Sequence, residues 1–327
     1  MYESILNLYD TQKAIKLIKD SFEDKLSKKF NLVRVSAPLF VFADSGVNDY
    51  LNGFERPVKF DVLGMNSEVE IVHSLAKWKR MALAKYSFPS DSGLYTDMNA
   101  IRRDEVLDNI HSIYVDQWDW ETIIHKEDRN PRYLKSVVRK IYKVVLSVAN
   151  LVTKEYPQIT YNLPKDIFFI TTKELEKMYP NMTSKERENA ITKEKGAVFL
   201  MQIGVPLSDG LPHDGRAADY DDWTLNGDLL LWHEPLGIAL EISSMGIRVD
   251  EESLLKQLMV KEEMFKTDNE YCQKIFNKEL PYTIVGGIGQ SRLCMFFLKK
   301  VHIGEVQASL WSNEIVENCN KNNINLL

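Results

Sequence analysis

The sequence predicts an α+β fold in which an antiparallel sheet is flanked by helices. Segments with helical periodicity and segments with strand periodicity are mixed along the 327 residues, without the regular strand–helix alternation of a doubly wound sheet. In the first half, predicted strands follow one another over short turns, which favours antiparallel pairing. The chain has no internal repeat, low-complexity segment or flexible linker, so we expect one domain over residues 1–327.

The elements follow from the spacing of apolar residues. Residues 3–29 have apolar positions at helical spacing, and an alternating strand follows at 32–38 and ends at Pro38. Further strands are predicted at 57–62, 68–73, 93–98 and 111–119, and a helix begins after Ser74. The second half predicts helices at 132–154, 172–179, 184–194, 250–266 and 289–299, and strands at 167–170, 196–202, 229–233 and 237–247.

Composition excludes several classes of function. Lys and Arg number 41 against 47 Asp and Glu, a net charge of −6, and no dense basic stripe exists, so we expect no nucleic-acid partner. No apolar run approaches the roughly 18 residues of a spanning helix, so we expect no membrane span. The amino terminus carries Glu3 and Asp10 and does not read as a secretory signal, which predicts a cytoplasmic protein.

Polar residues interrupt the strand predicted at 111–119. A period of two places Gln117 and Asp119 on one face with apolar residues, and Asp116 and Trp118 on the other. Two interpretations stay open: the strand end enters solvent, or Gln117 and Asp119 hold a small polar ligand at a pocket floor.

A second constellation lies on the strands predicted at 229–233 and 237–247. Asp228 precedes the first strand, and Glu241, Ser243, Ser244 and Arg248 lie along the second. Buried charges need partners or a metal. In a regular strand Glu241 and Arg248 would face opposite ways, so a shared site requires a bulge near 243–246. Asp228 and Glu241 are suitable ligands for Mg²⁺, with nucleotide phosphates completing the shell.

Three weaker patterns each have a structural alternative. Residues 286–293 run from a strand into a helix with glycines and Arg292, which suits a phosphate but also suits a tight turn. The spacing is neither GxGxxG nor a P-loop. The acidic, aromatic segment 219–223 is typical of a solvated loop. In segment 73–80, Ser74 can cap a helix whose first turns are cationic, which indicates either anionic ligands or a solvated basic face.

Taken together, these motifs resemble the ammonia-dependent asparagine synthetases, the bacterial aspartate–ammonia ligases. The resemblance covers nearly the whole chain and is specific because long matches occur in order. The matching segments are 73–80, 93–96, 115–121, 196–200, 219–223, 225–228, 241–250 and 287–293. That family is similar to the catalytic core of class II aminoacyl-tRNA synthetases, which implies one synthetase-like domain and a homodimer. The first helix and strand resemble motif 1 of that fold, 100–105 motif 2 and 287–292 motif 3.

The resemblance implies an enzyme that joins L-aspartate, ATP and ammonia to give L-asparagine, AMP and pyrophosphate through a β-aspartyl adenylate. It implies Arg102 on the α-phosphate, Arg292 on the triphosphate, and Mg²⁺ at Asp228 and Glu241. Asp221 and Ser243 are implied as further nucleotide contacts. Catalysis is thus assigned to Arg102 and Arg292.

For aspartate, the resemblance implies a cationic site at the α-carboxylate and an anionic site at the ammonium group. The first set is Ser74, Arg248 and either Lys77 or Lys79, and the second is Gln117 and Asp119, with Ser244 as a further contact. Asp49 matches the family position for a base that binds ammonium and accepts its proton. Two departures from the family pattern are Arg103, where proline is common, and a short loop at 222–225, which weakens the adenine-side assignment.

The sequence itself favours free ammonia as the nitrogen donor. Glutamine hydrolysis needs an activated cysteine, but residue 2 is Tyr2 and none of the three cysteines lies on a nucleophile elbow beside a histidine. We expect three free thiols, with Cys294 in an apolar helix and Cys272 and Cys319 near the surface. Two alternatives stay open: an enzyme that passes an aminoacyl group to another acceptor, and an inactive synthetase-like sensor, which the presence of both motif arginines disfavours.

Overall fold

The structure is a computed structural model, and it describes residues 2–48, 51 and 55–327. Asp49, the predicted ammonium base, lies outside the described residues, so its role stays a prediction. In the described part of the chain, the helices are α1 (Leu8–Phe30), α2 (Ala76–Lys85), α3 (Pro131–Glu155), α4 (Thr172–Met178), α5 (Ser184–Lys195), α6 (Glu251–Val260), α7 (Glu270–Phe276), α8 (Gln290–Phe297) and α9 (Asn313–Lys321). The strands are β1 (Leu32–Arg34), β2 (Phe40–Phe42), β3 (Lys59–Phe60), β4 (Val69–Ile71), β5 (Gly93–Ile101), β6 (Tyr114–Ile123), β7 (Phe168–Thr171), β8 (Ala197–Met201), β9 (Asp221–His233), β10 (Ile238–Arg248) and β11 (Thr283–Gly289).

Eight of these strands form the central sheet, in the order β1-β5-β6-β11-β10-β9-β8-β7. The outermost pairs, β1 with β5 and β7 with β8, are parallel, and every other neighbouring pair is antiparallel. The short strands β2, β4 and β3 form a separate antiparallel sheet. The predicted antiparallel sheet flanked by helices is therefore confirmed.

The two faces of the sheet differ because β6 alternates as predicted. Trp118 and Trp120 face α1, where they stack on Phe22 and Phe30 with ring centroids 5.1 and 5.3 Å apart. Helices α1, α3 and α8 cover this face and form the main apolar core with it. Gln117 belongs to the opposite face. That face is packed by α2 at one side and by α4 and α5 at the other, and a cleft remains between them.

Several elements differ from the prediction. Strand β9 begins at Asp221, well before residue 229, and the helix predicted at 250–266 divides into α6 and a 3-10 helix at Met264–Asp268. The strand β2 and the helices α7 and α9 were not predicted, because each is short and carries few buried apolar residues. No helix in the described ranges is long and apolar enough to cross a membrane.

Candidate active site

The cleft on the open face of the sheet has a volume of about 590 Å³. Strands β6, β10 and β11, the start of α8, and the connections before β6 and β9 all contribute to it. The structure brings six predicted residues to its wall: Ser74, Arg102, Gln117, Glu241, Ser244 and Arg292. Gln117 therefore lies at the floor of a cleft and not at a strand end in solvent, and Ser74 lies at its wall; their contacts with a ligand stay predictions.

Strand β11 contributes glycines to the floor of the cleft. A Cβ atom at Gly287 would lie 2.5 Å from Oε1 of Gln117, and a Cβ at Gly286 would lie 2.9 Å from Nε1 of Trp120. Real Cβ atoms do not approach other atoms so closely, so these positions require glycine. Gly287 lets the Gln117 amide lie along the floor, whereas Gly286 leaves room for Trp120 on the helix-covered face. Gly287, Gly289 and Arg292 line the cleft, so the predicted strand-to-helix turn at 286–293 is also part of it.

Strand β10 contains the predicted irregularity. Its register against β9 shifts between Glu241 and Ser243, and again between Gly246 and Arg248. Glu241 lies opposite Leu230 and Ser244 opposite Asp228, and because residues 228 and 230 share a face of β9, so do Glu241 and Ser244. The bulge prediction is confirmed, and its effect is to bring Glu241, Ser244 and Asp228 to one face. Ser243 points to the helix-covered face, pairs in register with Ile288 and does not line the cleft.

Asp228 and Glu241 fit the predicted metal site. Atom Oδ1 of Asp228 is buried and has no hydrogen-bond partner among the described residues, which leaves it free to bind a cation. Burial raises the pKa of the Asp228 carboxyl to about 6, with Arg216 opposing this shift and Glu241 adding to it. In the described ranges no three His, Cys, Asp or Glu side chains form a complete metal site, so a cation here would need phosphate oxygens and water as well.

Three half-buried arginines line the same cleft, and two of them contact these carboxylates. Arg102 lies 3.9 Å from Glu105, and Arg292 lies 3.7 Å from the carboxylate of Glu241. Nη2 of Arg216 donates to Oδ2 of Asp228 at 2.5 Å. Sequence reasoning missed Arg216, although it is the lone arginine in the acidic segment 214–222. The cleft therefore has a cationic rim that suits an anion with several negative charges.

The remaining predicted residues lie behind the wall, in buried ion pairs. Lys79 pairs with Asp119, and both side chains are almost completely buried. Nζ of Lys77 lies 2.8 Å from Asp219, on the segment before β9. Burial lowers the pKa of Lys79 despite the attraction of Asp119. The two lysines thus differ as their helical spacing predicts, since each faces a different carboxylate.

Arg248 is fully buried at the end of β10. Its Nη2 donates to Glu121 at 3.1 Å and to the carbonyl oxygen of Ala76 at 2.6 Å. The Tyr220 ring, which also lines the cleft, lies over the guanidinium at 4.1 Å. Nη1 is 3.6 Å from Asp221 and has no hydrogen-bond partner in the described chain. One donor of Arg248 is thus uncommitted beside the cleft wall.

The acidic segment 219–223 is buried, so the solvated-loop interpretation is wrong. Asp219, Asp221 and Asp222 are at most 7% exposed, and Lys77, Arg248 and Arg129 respectively lie within ion-pair distance of them. Burial raises the pKa of Asp221 to about 7, and this effect outweighs the attraction of Arg248. Asp221 does not line the cleft in this conformation.

A polar anchor beneath α8 was also missed. Oδ1 of Asp116 accepts from the backbone N–H of Ser291 at 3.1 Å and from Nε2 of Gln307 at 3.2 Å, and Oδ2 accepts from Lys19 at 2.9 Å. The signal available in the sequence was an aspartate on the tryptophan face of β6. Because Ser291 precedes Arg292, this anchor fixes the turn that presents Arg292 to the cleft.

The sheet order and the cleft define a catalytic core of the class II aminoacyl-tRNA synthetase type. The asparaginyl-tRNA synthetase from Pyrococcus horikoshii, complexed with asparaginyl-adenylate, aligns with a TM-score of 0.68 at 16% identity, over 93% of this chain and 70% of that one. The Entamoeba histolytica asparaginyl-tRNA synthetase with asparaginyl-adenylate aligns at 0.63 and 15%, over 91% and 66%. This chain thus spans about two thirds of their length, and at such identities the likeness establishes the fold alone.

Sequence comparison identifies the family. The family model for aspartate–ammonia ligase matches residues 9–323. The aspartate–ammonia ligase of Clostridium tetani is 60% identical over 327 residues, covering 100% of this chain and 96% of that protein. The enzyme of Fusobacterium nucleatum is 61% identical over 326 residues, covering 100% and 99%. The chain belongs to the aspartate–ammonia ligase family.

Proposed function

We propose that this protein joins L-aspartate and ammonia to form L-asparagine, at the expense of ATP cleaved to AMP and pyrophosphate. The observation that carries the proposal is the match to aspartate–ammonia ligases over the full chain at about 60% identity. The cleft supports it, because arginines and carboxylates of the kind that hold a magnesium nucleotide meet there with polar groups on the floor.

In the first step, an oxygen of the aspartate β-carboxylate bonds to the α-phosphorus of ATP, and the bond from that phosphorus to the bridging oxygen breaks. Pyrophosphate leaves and β-aspartyl adenylate remains. Both reactants are anions, so Arg102 and Arg292 neutralise charge as they approach. Mg²⁺ held by Asp228 and Glu241 would neutralise the phosphate oxygens further. Asp221 and Ser243 are proposed as additional nucleotide contacts, which requires movement from their present buried positions.

Aspartate recognition is assigned to Ser74, Gln117 and Ser244 at the wall and to the buried pairs behind it. The free Nη1 donor of Arg248 suits the α-carboxylate of aspartate. Asp119, which pairs with Lys79, suits its ammonium group. Lys77 is the second cation of this region, and it pairs with Asp219 behind the cleft wall. Tyr220 must shift to admit the substrate to Arg248.

In the second step, ammonia attacks the acyl carbon of the adenylate, the bond to the phosphate oxygen breaks, and AMP leaves. Because ammonium dominates at neutral pH, one proton must be removed before attack, and we assign its removal to Asp49. Free ammonia, not glutamine, is the donor. Burial raises the pKa of Cys272 to about 11 and of Cys294 to about 12, and Cys319 is buried as well, so no described thiol is an activated nucleophile. The expectation that Cys272 and Cys319 lie near the surface is wrong.

The motif 1 elements support a homodimer as part of this proposal. Tyr9 of α1, Val33 of β1 and Phe40 of β2 are 74%, 55% and 46% exposed, an unusual display of apolar side chains. Light scattering would be expected to give twice the chain mass of 37.8 kDa. A monomeric mass at working concentration would contradict the proposed dimer but would not contradict the proposed reaction.

The function is tested by incubating the protein with ATP, Mg²⁺ and aspartate, with ammonium in one sample and glutamine in another. Asparagine, AMP and ADP are then quantified. We expect asparagine and AMP in equal amounts with ammonium, and neither product with glutamine. ADP in place of AMP would overturn the adenylate mechanism. Pyrophosphate exchange without asparagine would redirect the proposal to another acceptor of the aspartyl group.

A further inference from the structure

The guanidinium of Arg216 is hydrogen-bonded to Asp228, one of the two carboxylates proposed to bind the metal. Nη2 of Arg216 donates to Oδ2 of Asp228 at 2.5 Å, and Nη1 lies 3.5 Å from Asp214. Asp228 is nearly buried, whereas the side chain of Arg216 is 19% exposed and lines the cleft. The attraction of Asp228 and Glu241 raises the pKa of Arg216, which therefore stays charged.

A divalent cation and the Arg216 guanidinium compete for the carboxylate of Asp228. Mg²⁺ binds carboxylate oxygens at about 2.0–2.1 Å, and a second positive charge in the same buried place is repelled strongly at low effective dielectric. Arg292 has the equivalent relation to Glu241, at 3.7 Å. Arrival of the metal at these carboxylates therefore releases arginines from them.

The positive charge of the released arginines equals the net negative charge of the magnesium-bound nucleotide. Magnesium-bound ATP adds about two net negative charges, and two guanidiniums freed from Asp228 and Glu241 supply two positive ones. Bidentate guanidinium–phosphate contacts are favourable replacements for the lost carboxylate contacts. Arg216, Arg292 and Glu241 line the cleft, and Asp228 lies in direct contact with Arg216, so the exchange needs no long-range movement.

The backbone around Arg216 permits this exchange. Residue 216 lies between β8 and β9, in a connection that contains neither helix nor strand apart from an isolated bridge between Pro206 and Pro212. Its side chain can change partner without breaking the sheet. Asp228, in contrast, is fixed within β9 and paired in register with Ser244.

We propose that Arg216 is a further catalytic residue that exchanges Asp228 for the nucleotide. It neutralises Asp228 in the free enzyme, is displaced when the metal binds, and then contacts the β- and γ-phosphates, which leave as pyrophosphate. This inference rests on the proposed function for the identity of the nucleotide. Its first half, competition between Arg216 and a metal for Asp228, concerns the free protein only.

The competition is tested by electron paramagnetic resonance of Mn²⁺, which shares the octahedral oxygen preference of Mg²⁺, without nucleotide. Arg216→Ala should tighten Mn²⁺ binding by about fivefold or more, because a buried competitor has been removed. Arg216→Gln, which keeps a polar side chain without the charge, should do the same and serves if the alanine variant folds poorly. In the double variant with Asp228→Asn the gain should disappear.

Lys185→Ala is the matched control. It removes a positive charge from the same surroundings, but Lys185 pairs with Glu188 at 2.8 Å and does not contact Asp228. We expect a change of less than about twofold, since only a screened long-range term is lost. Unchanged Mn²⁺ affinity in both Arg216 variants, or equal tightening in Lys185→Ala, would overturn the competition.

The phosphate contact is tested by comparing two nucleotides on the same variants. Arg216→Ala should weaken binding of Mn²⁺–ATP by about tenfold and leave AMP binding within about twofold, because AMP has no β- or γ-phosphate. An equal loss for both nucleotides would overturn this half. Asparagine formation by the unmodified enzyme is assayed on the same preparation. If that reaction fails, the proposed function falls, while the Mn²⁺ result still decides the role of Arg216.

Discussion

The two ends of the cleft hold their charges in opposite ways. The end proposed for aspartate, here called the aspartate end, is defined by three pairs behind the cleft wall, Lys79–Asp119, Lys77–Asp219 and Arg248–Glu121, whose side chains are at most 11% exposed. At the nucleotide end, defined by Arg102–Glu105, Arg216–Asp228 and Arg292–Glu241, the arginines are 19–27% exposed and two of the three pairs are 3.7 Å or longer. The first set is built into the core and the second stands in reach of water.

This difference suggests separate tasks for the two ends: one recognises the amino acid, and the other exchanges carboxylates for phosphates. Breaking a buried pair leaves an uncompensated charge and is costly, so the aspartate end keeps one geometry. The pairs Arg102–Glu105 and Arg292–Glu241 are long and partly open to water, so these arginines can leave their carboxylates for a phosphate at small cost. Arg216, in contrast, leaves the nearly buried Asp228 only in exchange for the metal. A rigid end suits a small amino acid that must be distinguished from its neighbours. An exchangeable end suits a substrate that arrives with several charges and leaves in two pieces.

The largest effect should come from cutting a buried pair. Glu121→Ala strands Arg248, which also loses the network to Thr283, and should lower the free energy of unfolding by about 3–5 kcal/mol in urea titrations. Glu105→Ala, the matched change at the nucleotide end, should lower it by no more than about 1 kcal/mol. Similar losses in the two variants would remove the distinction between the ends.

Removing an arginine from the nucleotide end should affect catalysis and not stability. Arg292→Ala should lower kcat/KM for ATP about 100-fold, because a charge aimed at the phosphates is lost. Its free energy of unfolding should change by less than about 1 kcal/mol, and the KM for aspartate should change little. Pyrophosphate exchange gives the rates. Arg132→Ala, at an exposed position in the first turn of α3, is the control and should retain full activity.

The pH dependence of stability tests the burial of Asp221, which lies 3.6 Å from the guanidinium of Arg248. The pKa of Asp221 rises from its ordinary value of 3.8 to about 7 on folding, so the folded protein binds a proton that the unfolded chain releases. This contribution is fully present below about pH 4 and is lost as the pH rises to about 7, by at most about 1.4 kcal/mol per unit. Asp221→Asn should lack it. Urea titrations between about pH 5 and about pH 7 should therefore diverge for the two proteins, and parallel curves would contradict the assigned burial.

The smallest effect concerns the anchor that joins the two ends. Asp116→Asn loses the ion pair with Lys19 but keeps an acceptor for the Ser291 N–H, so stability should fall by about 1 kcal/mol. Because Asp116 holds the turn before Arg292, the variant should misplace this arginine and raise the KM for ATP. The KM for aspartate should stay constant. Lys19→Met removes the same ion pair from the other side and should match the stability loss. A rise confined to the aspartate KM would be the opposite of what this geometry predicts.

Much of the fold follows from the sequence because its signals are local. The period of two in β6 separates Trp118 and Trp120 from Gln117, and the structure confirms that separation. The irregularity in β10 was predicted from the conflict between a strand period and two charged residues that would serve one site. The family assignment, based on ordered motifs, is confirmed by the family model and by full-length relatives.

The predictions that failed concerned side chains whose ion-pair partners are distant in sequence. Residues 219–223 resembled a solvated loop because their carboxylates were counted without the cations that neutralise them, Lys77, Arg129 and Arg248. Arg216 was missed for the same reason, since nothing in its neighbourhood indicates a pairing with Asp228. The pairing of Lys79 with Asp119 was not predicted either, and the substrate contacts predicted for these two residues stay untested. The specific roles of the site residues, including that of Asp49, stay predictions.

The extra residue in β10 also constrains how this strand can change in length. Between Glu241 and Ser243 the strand advances two residues while β9 advances one. Deleting Ile242 would restore a regular register and leave Glu241 opposite Leu230 and Ser244 opposite Asp228, so both would keep their common face. A deletion in the regular part of the strand, between Ser244 and Gly246, would instead turn every side chain beyond it to the opposite face. Variation in length between relatives belongs instead in the turn at 234–237, where Gly237 has a φ of +65° and the chain reverses direction outside the sheet.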